Sequence, residues 1–225
     1  MENTNTTKTP KSRPASFEEL YAAKDYKGAI NFLLQNKQHF DSGTFHYNLG
    51  TTYAKLGEFG AARFNLEKAL ENGMYNSATL NNLSFVQSKI DAEDLSTSTS
   101  AIDQVIHYSL KIPSEAYLST SLFILLIFLI MIKIKKITNK MVITIFILIA
   151  LIPFTLSKSW VASLNPAVAL KEISVYEGPS KVFQEKGKIR PGAKIVLGEF
   201  KDGWYFVKYP INLSGWVNKD NLGIF

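Results

Sequence analysis

The sequence predicts a multi-domain membrane protein in three parts: an α-helical repeat solenoid, two transmembrane helices and a small C-terminal β-barrel. Three observations carry that expectation. Apolar residues recur at helical spacing through the first half of the chain, and parts of that pattern return after 33 or 34 positions. Two runs without one charged side chain, residues 122–132 and 141–156, flank a lysine-rich stretch. Past residue 170 the apolar period drops from 3.6 to 2. The 225 residues, 46% of them hydrophobic, suffice for two small domains and a hairpin but not for a large polytopic protein.

Residues 1–15 are a Thr, Asn, Lys and Pro tail with little to bury, and disorder is expected there. From Phe17 the pattern is helical. Residues 46–70 read as two amphipathic helices joined at Leu56, Gly57 and Glu58, with Gly50 and Ala62 small where helices must approach. Asn48-Leu49 returns as Asn82-Leu83, and Asp25-Tyr26-Lys27-Gly28-Ala29 is echoed from Glu58 to Ala62. With Leu49, Gly50, Tyr53, Gly57, Ala62, Leu66 and Ala69 in place, the second unit resembles a tetratricopeptide repeat. The first unit, residues 16–37, keeps Tyr26 and Ala29 but has Leu20 at a tyrosine position; in the third, residues 77–90, Ser84 replaces the glycine. The resemblance implies a domain over residues 16–112 whose first helices line a protein-binding groove. Tyr47, Asn48, Thr51 and Lys55 would face it from one unit, and Asn81, Asn82, Phe85 and Lys89 from the next. Asn48 and Asn82 fit two roles there: clamping an extended ligand, or bridging neighbouring helices.

Residues 91–100 form an acidic, serine-rich linker without apolar period. Residues 101–112 are helical again and suit a repeat partner, a solenoid cap or a stem feeding the membrane; Pro113 marks a break. Transmembrane helices are expected over residues 113–134 and 141–162, with Tyr117 and Trp160 as interfacial aromatics. The connecting loop, residues 135–140, and its approach carry Lys133, Lys135, Lys136 and Lys140 and no acid, which by the positive-inside bias places the loop in the cytoplasm and both soluble parts outside it. That topology requires an export signal. Residues 1–16 have no apolar h-region, so the sequence calls either for a start upstream of Met1 or for the inverted arrangement.

Residues 171–176, 194–199, 204–208 and 215–218 are short β-rich runs between Gly, Pro, Asp and Asn turns. Gly178-Pro179-Ser180, Arg190-Pro191-Gly192, Asp202-Gly203-Trp204-Tyr205 and Ser214-Gly215-Trp216-Val217, followed by Asp220-Asn221-Leu222, resemble a bacterial SH3 domain over residues 168–225. Tyr176 stands where that family often has arginine. Trp204, Tyr205 and Trp216 fit either the core or an exposed platform; Trp204 and Tyr205 are the expected ligand surface, while Trp216 favours the core.

Chemistry is sparse. There is no cysteine, no phosphate-binding loop, no nucleophile elbow and no metal spacing among His39, His46 and His107, so a non-enzymatic chain without cofactor is expected. The formal charge of +6 is concentrated in the loop lysines and in Lys8, Lys11 and Arg13, without the basic, aromatic-interleaved helix of a nucleic-acid binder. In order, the three parts resemble the BatE-type proteins of the bacterial aerotolerance operon. That resemblance implies an inner-membrane scaffold with two spans and periplasmic soluble domains. Its partners would be membrane-anchored von Willebrand factor A-domain proteins and, indirectly, a MoxR-type ATPase. The alternative is a peptidoglycan-binding wall protein that recruits a wall enzyme through its repeats.

Overall fold

A computed structural model describes residues 16–134 and 139–225. The expected tail, residues 1–15, and Lys135 and Lys136 of the loop lie outside the described residues. Five helices come first: α1 (Phe17–Ala22), α2 (Tyr26–Gln35), α3 (Ser42–Leu56), α4 (Phe59–Glu71) and α5 (Ser77–Lys89). Four begin where a short polar side chain accepts an otherwise unpaired N–H. Ser16 and Glu19 form a reciprocal capping box on α1, and Asp25, Asp41 and Asn76 cap α2, α3 and α5. Gly57, at φ 77°, takes the left-handed conformation that ends α3 and turns the chain into α4. Ile30 and Leu33 of α2 pack with Phe45 and Leu49 of α3, and Ala62 and Leu66 of α4 with Val86 of α5. Gly50 makes the α3–α4 approach possible, since a Cβ there would stand 2.7 Å from Leu66 Cγ.

Residues 91–100, expected as a linker, are built into the fold. Leu95 is fully buried against Ile106 and Val196, and its N–H donates to the Lys194 carbonyl. The next helix, α6 (Ala101–Lys111), packs through Ile106 and Leu110 against that cluster.

Two 20-residue helices follow, α7 (Ser114–Lys133) and α8 (Lys140–Ser159), each about 30 Å long. Both are long and apolar enough to cross a membrane, and only 11% of each most apolar window is buried, unlike a core helix of a soluble protein. They meet along a narrow seam of Ser121, Phe128 and Ala150, with the Phe128 and Phe146 rings stacked at 4.7 Å. Pro153 interrupts the hydrogen-bond ladder of α8. Ser121 of α7 compensates, its hydroxyl oxygen accepting the Phe154 N–H at 3.0 Å.

The C-terminal part is one antiparallel sheet of seven strands: β1 (Asn165–Ala169), β2 (Ile173–Tyr176), β3 (Glu185–Ile189), β4 (Lys194–Lys201), β5 (Trp204–Tyr209), β6 (Gly215–Asn218) and β7 (Leu222–Ile224). Their order across the sheet is β3-β2-β6-β5-β4-β1-β7. Every strand contributes a buried residue to one core, from Ile189 at one edge to Leu222 at the other, so the sheet coils around its own apolar face. The edge strand β3 is exposed along Glu185, Lys186, Gly187 and Lys188, and those charges disfavour pairing with another chain.

Candidate interaction sites

α3 and α5 bring most of the expected groove residues together. Tyr47, Asn48 and Thr51 are half-buried on α3, and Lys55 is exposed near its end. Across from them Asn82 is half-buried, while Asn81, Phe85 and Lys89 are exposed. The Asn82 amide nitrogen donates to Thr51 Oγ1 at 3.2 Å and to Tyr47 Oη at 3.5 Å, so this asparagine bridges neighbouring helices. Asn48 differs: among the described residues its side-chain amide has no hydrogen-bond partner. The Lys89 ammonium lies 5.6 Å from the Phe85 ring centroid, leaving one cationic and aromatic edge in solvent.

On the sheet, Trp204 and Tyr205 do not form one platform. Neighbouring residues of a strand point to opposite faces. Tyr205 packs against the inner core and stands 4.6 Å from the Phe200 ring, whereas Trp204 is on the outer face, buried to 8% exposure and edge-on to Tyr176. The expected exposed Trp204 surface is corrected accordingly. Trp216, expected in the core, is half-buried on the outer face, where it pairs across strands with Tyr176 and Phe206. Its ring meets Phe206 edge-on at 5.6 Å. The result is an outer aromatic patch of Tyr176, Trp204, Phe206 and Trp216. Tyr176 and Phe206 were missed because each reads singly as an ordinary strand residue; their alternation with Val175 and Val207 is the signal that places them on the far face.

The third site joins the helices to the sheet. Gly60 of α4 lies so close to the sheet that a Cβ would sit 2.6 Å from the carbonyl oxygens of Ala169 and Leu170. One turn on, the buried Arg63 guanidinium donates to Glu67 Oε1 at 2.9 Å, Asp94 Oδ2 at 2.6 Å and the Gly192 carbonyl at 2.7 Å. Lys194 of β4 donates to the second Glu67 oxygen at 2.5 Å. Burial alone would raise the Glu67 and Asp94 carboxyls. Lys194 and Arg63 hold Glu67 below its ordinary value, and Arg63 with the Ser96 hydrogen bonds does the same for Asp94. Burial works against the Arg63 charge too, but Glu67 and Asp94 outweigh it and raise its pKa. Arg63, Glu67 and Asp94 are therefore all charged at neutral pH. An exposed pair, Arg190 with Asp91 at 2.7 Å, and the Asn212–Glu93 bond at 2.7 Å extend the same junction outward.

Lys133 ends α7 and Lys140 begins α8, both exposed. His46 Nδ1 lies 2.9 Å from Asn65 Oδ1, binding α3 to α4, and His107 packs inside α6, its pKa lowered by burial and by Lys111. No protein-family model, curated protein or solved structure matches the chain.

Proposed function

We propose that the chain is a non-enzymatic scaffold anchored in the bacterial inner membrane, holding two protein-binding surfaces side by side. In this reading α1 to α5 are a short tetratricopeptide solenoid, the coiled sheet is an SH3-like barrel, and α7 and α8 are a transmembrane hairpin with its lysine loop in the cytoplasm. Both binding surfaces are then periplasmic, and the partners are membrane-anchored von Willebrand factor A-domain proteins of an aerotolerance or envelope-stress complex. The junction carries the reading. Its buried ions fix α4 to residues 91–100 and to β4 close to the apolar hairpin, so a partner engaging both surfaces meets them at a set spacing.

The test is co-purification of the full chain with an A-domain membrane protein from detergent-solubilised inner membranes. Capture is expected with the native groove and loss with Asn48→Ala combined with Lys55→Glu and Lys89→Glu. Unchanged capture by that variant overturns the groove assignment.

A second reading is favoured by the outer aromatic patch: the half-buried Tyr176, Phe206 and Trp216, backed by the buried Trp204, offer ring faces and edges of the kind that stack on sugars, and the barrel would then dock peptidoglycan. Retention on purified sacculi, lost with Trp216→Ala, selects it over the scaffold.

A further inference from the structure

Helix α6 buries Ile106 and Leu110 against the Leu95 cluster, yet its outer face is also apolar. Asp103, Gln104, Ile106, His107, Ser109 and Leu110 are buried or half-buried. Ala101, Ile102, Val105, Tyr108 and Ile112 are exposed beside the exposed Lys111, with Ile102, Val105 and Tyr108 exposed by 54%, 55% and 61%. At 100° per residue these five fall on one arc, and none is charged. An amphipathic helix resting on a protein core in solvent keeps that outer arc polar.

We infer that α6 lies in the headgroup layer of the bilayer, its outer arc immersed in lipid, as a collar beside the hairpin. Three observations select lipid as the occupant. Only Ile112 and Pro113 separate α6 from the apolar helix α7, so the arc continues the surface the hairpin presents. The Tyr117 hydroxyl, in the first turns of α7, donates to the Ser109 carbonyl at 3.3 Å and holds the end of α6 level with the start of that span. Trp160, directly after α8, packs on the inner side of α6 with Leu110, which sets the helix at the depth where interfacial aromatics reside. A helix lying flat at that depth immerses its apolar arc by about 5–10 Å while its other side faces the protein. Asp103 and His107 thus point away from lipid, toward the Leu95 cluster and the junction.

The inference rests on α7 and α8 spanning the membrane, and one experiment separates the two. The sequence has no cysteine, so single cysteines carry a fluorophore without background. Full chain with Ile102→Cys, Val105→Cys or Tyr108→Cys is labelled with bimane in liposomes, beside Leu126→Cys within α7 and Lys27→Cys on α2. Labels at 102, 105 and 108 are expected to be quenched by headgroup nitroxide lipids and to be several-fold less accessible to iodide than the label at 27. The label at 126 should respond to deep acyl-chain nitroxides. Iodide access at 105 equal to that at 27, with 126 still quenched by deep nitroxides, overturns the collar and leaves the hairpin standing. Shielding of 105 from both iodide and nitroxides also overturns it, in favour of a protein cover. Failure of 126 to quench overturns the hairpin and the collar with it.

Discussion

Arg63 illustrates how much one side chain decides. It is 4% exposed, and its guanidinium is the only charge among the described residues that touches Glu67, Asp94 and the Gly192 carbonyl together. Arg63→Ala leaves Asp94 buried without its counter-ion and is expected to destabilise the folded chain by about 3–5 kcal/mol, measured by denaturant unfolding in detergent. Ser121 acts at smaller scale within the helical pair. Ser121→Ala strips the Phe154 N–H of its acceptor next to Pro153 and should cost about 1–3 kcal/mol, read from the midpoint of SDS-induced unfolding. Neither role was legible in the sequence. Arg63 and Glu67 at i and i+4 look like a solvated helix face, and their other partners lie 31 and 127 positions away.

Elements were legible to the extent that their own residues dictate them. The helices from α2 to α5 announce themselves through apolar period, Asp25, Asp41 and Asn76 at their starts, and Gly57 between α3 and α4. Strands β2, β4, β5 and β6 follow from β-branched and aromatic alternation. Three strands escaped because tertiary pairing, not propensity, makes them. β1 contains Pro166, two alanines and an asparagine, β3 is almost wholly polar, and β7 is three residues long. The same limit hid the role of residues 91–100, where only two apolar residues, Ala92 and Leu95, do the packing. Between elements, the α4–sheet contact is sharpest at Gly60, because the atoms a methyl would strike are main-chain oxygens that cannot swing aside. Gly60→Ala is expected to part α4 from β1, seen as faster protease cleavage within residues 91–100, whereas Gly187→Ala, with open space around its Cα, should leave cleavage unchanged.

At the scale of the whole molecule, the junction constrains topology. The α4 helix precedes both apolar helices and β1 follows them, yet the two are in contact, so any membrane crossed by α7 must be crossed back by α8. Impermeant thiol labelling of Lys27→Cys and Lys201→Cys should give one shared sidedness and of Asn139→Cys the opposite; mismatch between the first two breaks the arrangement. Acidity tests the same joint. Glu67 and Asp94 titrate lower when folded than when unfolded, so their contribution is complete at neutral pH. It begins to fall as pH drops into the ordinary carboxylate range near about 4, and it is lost below their depressed values. His107, also depressed, adds a loss that starts earlier, below its ordinary range. Unfolding midpoints should thus be flat from neutrality up to the tyrosine range near about 10, where half-buried Tyr21 and Tyr53 resist ionisation, and decline on acidification, with less decline in an Asp94→Asn variant.

The order of synthesis gives the Gly60 notch a history. α4 leaves the ribosome well before β1 and β4 exist, and the whole apolar hairpin is translated in between. Until then Arg63 has Glu67 and Asp94 but not the Gly192 carbonyl, Glu67 lacks Lys194, and the cradle meant for the Ala169 and Gly192 backbone stands open to water. The newborn helical half is consequently a waiting receptor for its own distant tail, and chains cut short before Asn165 carry that unfilled notch for life.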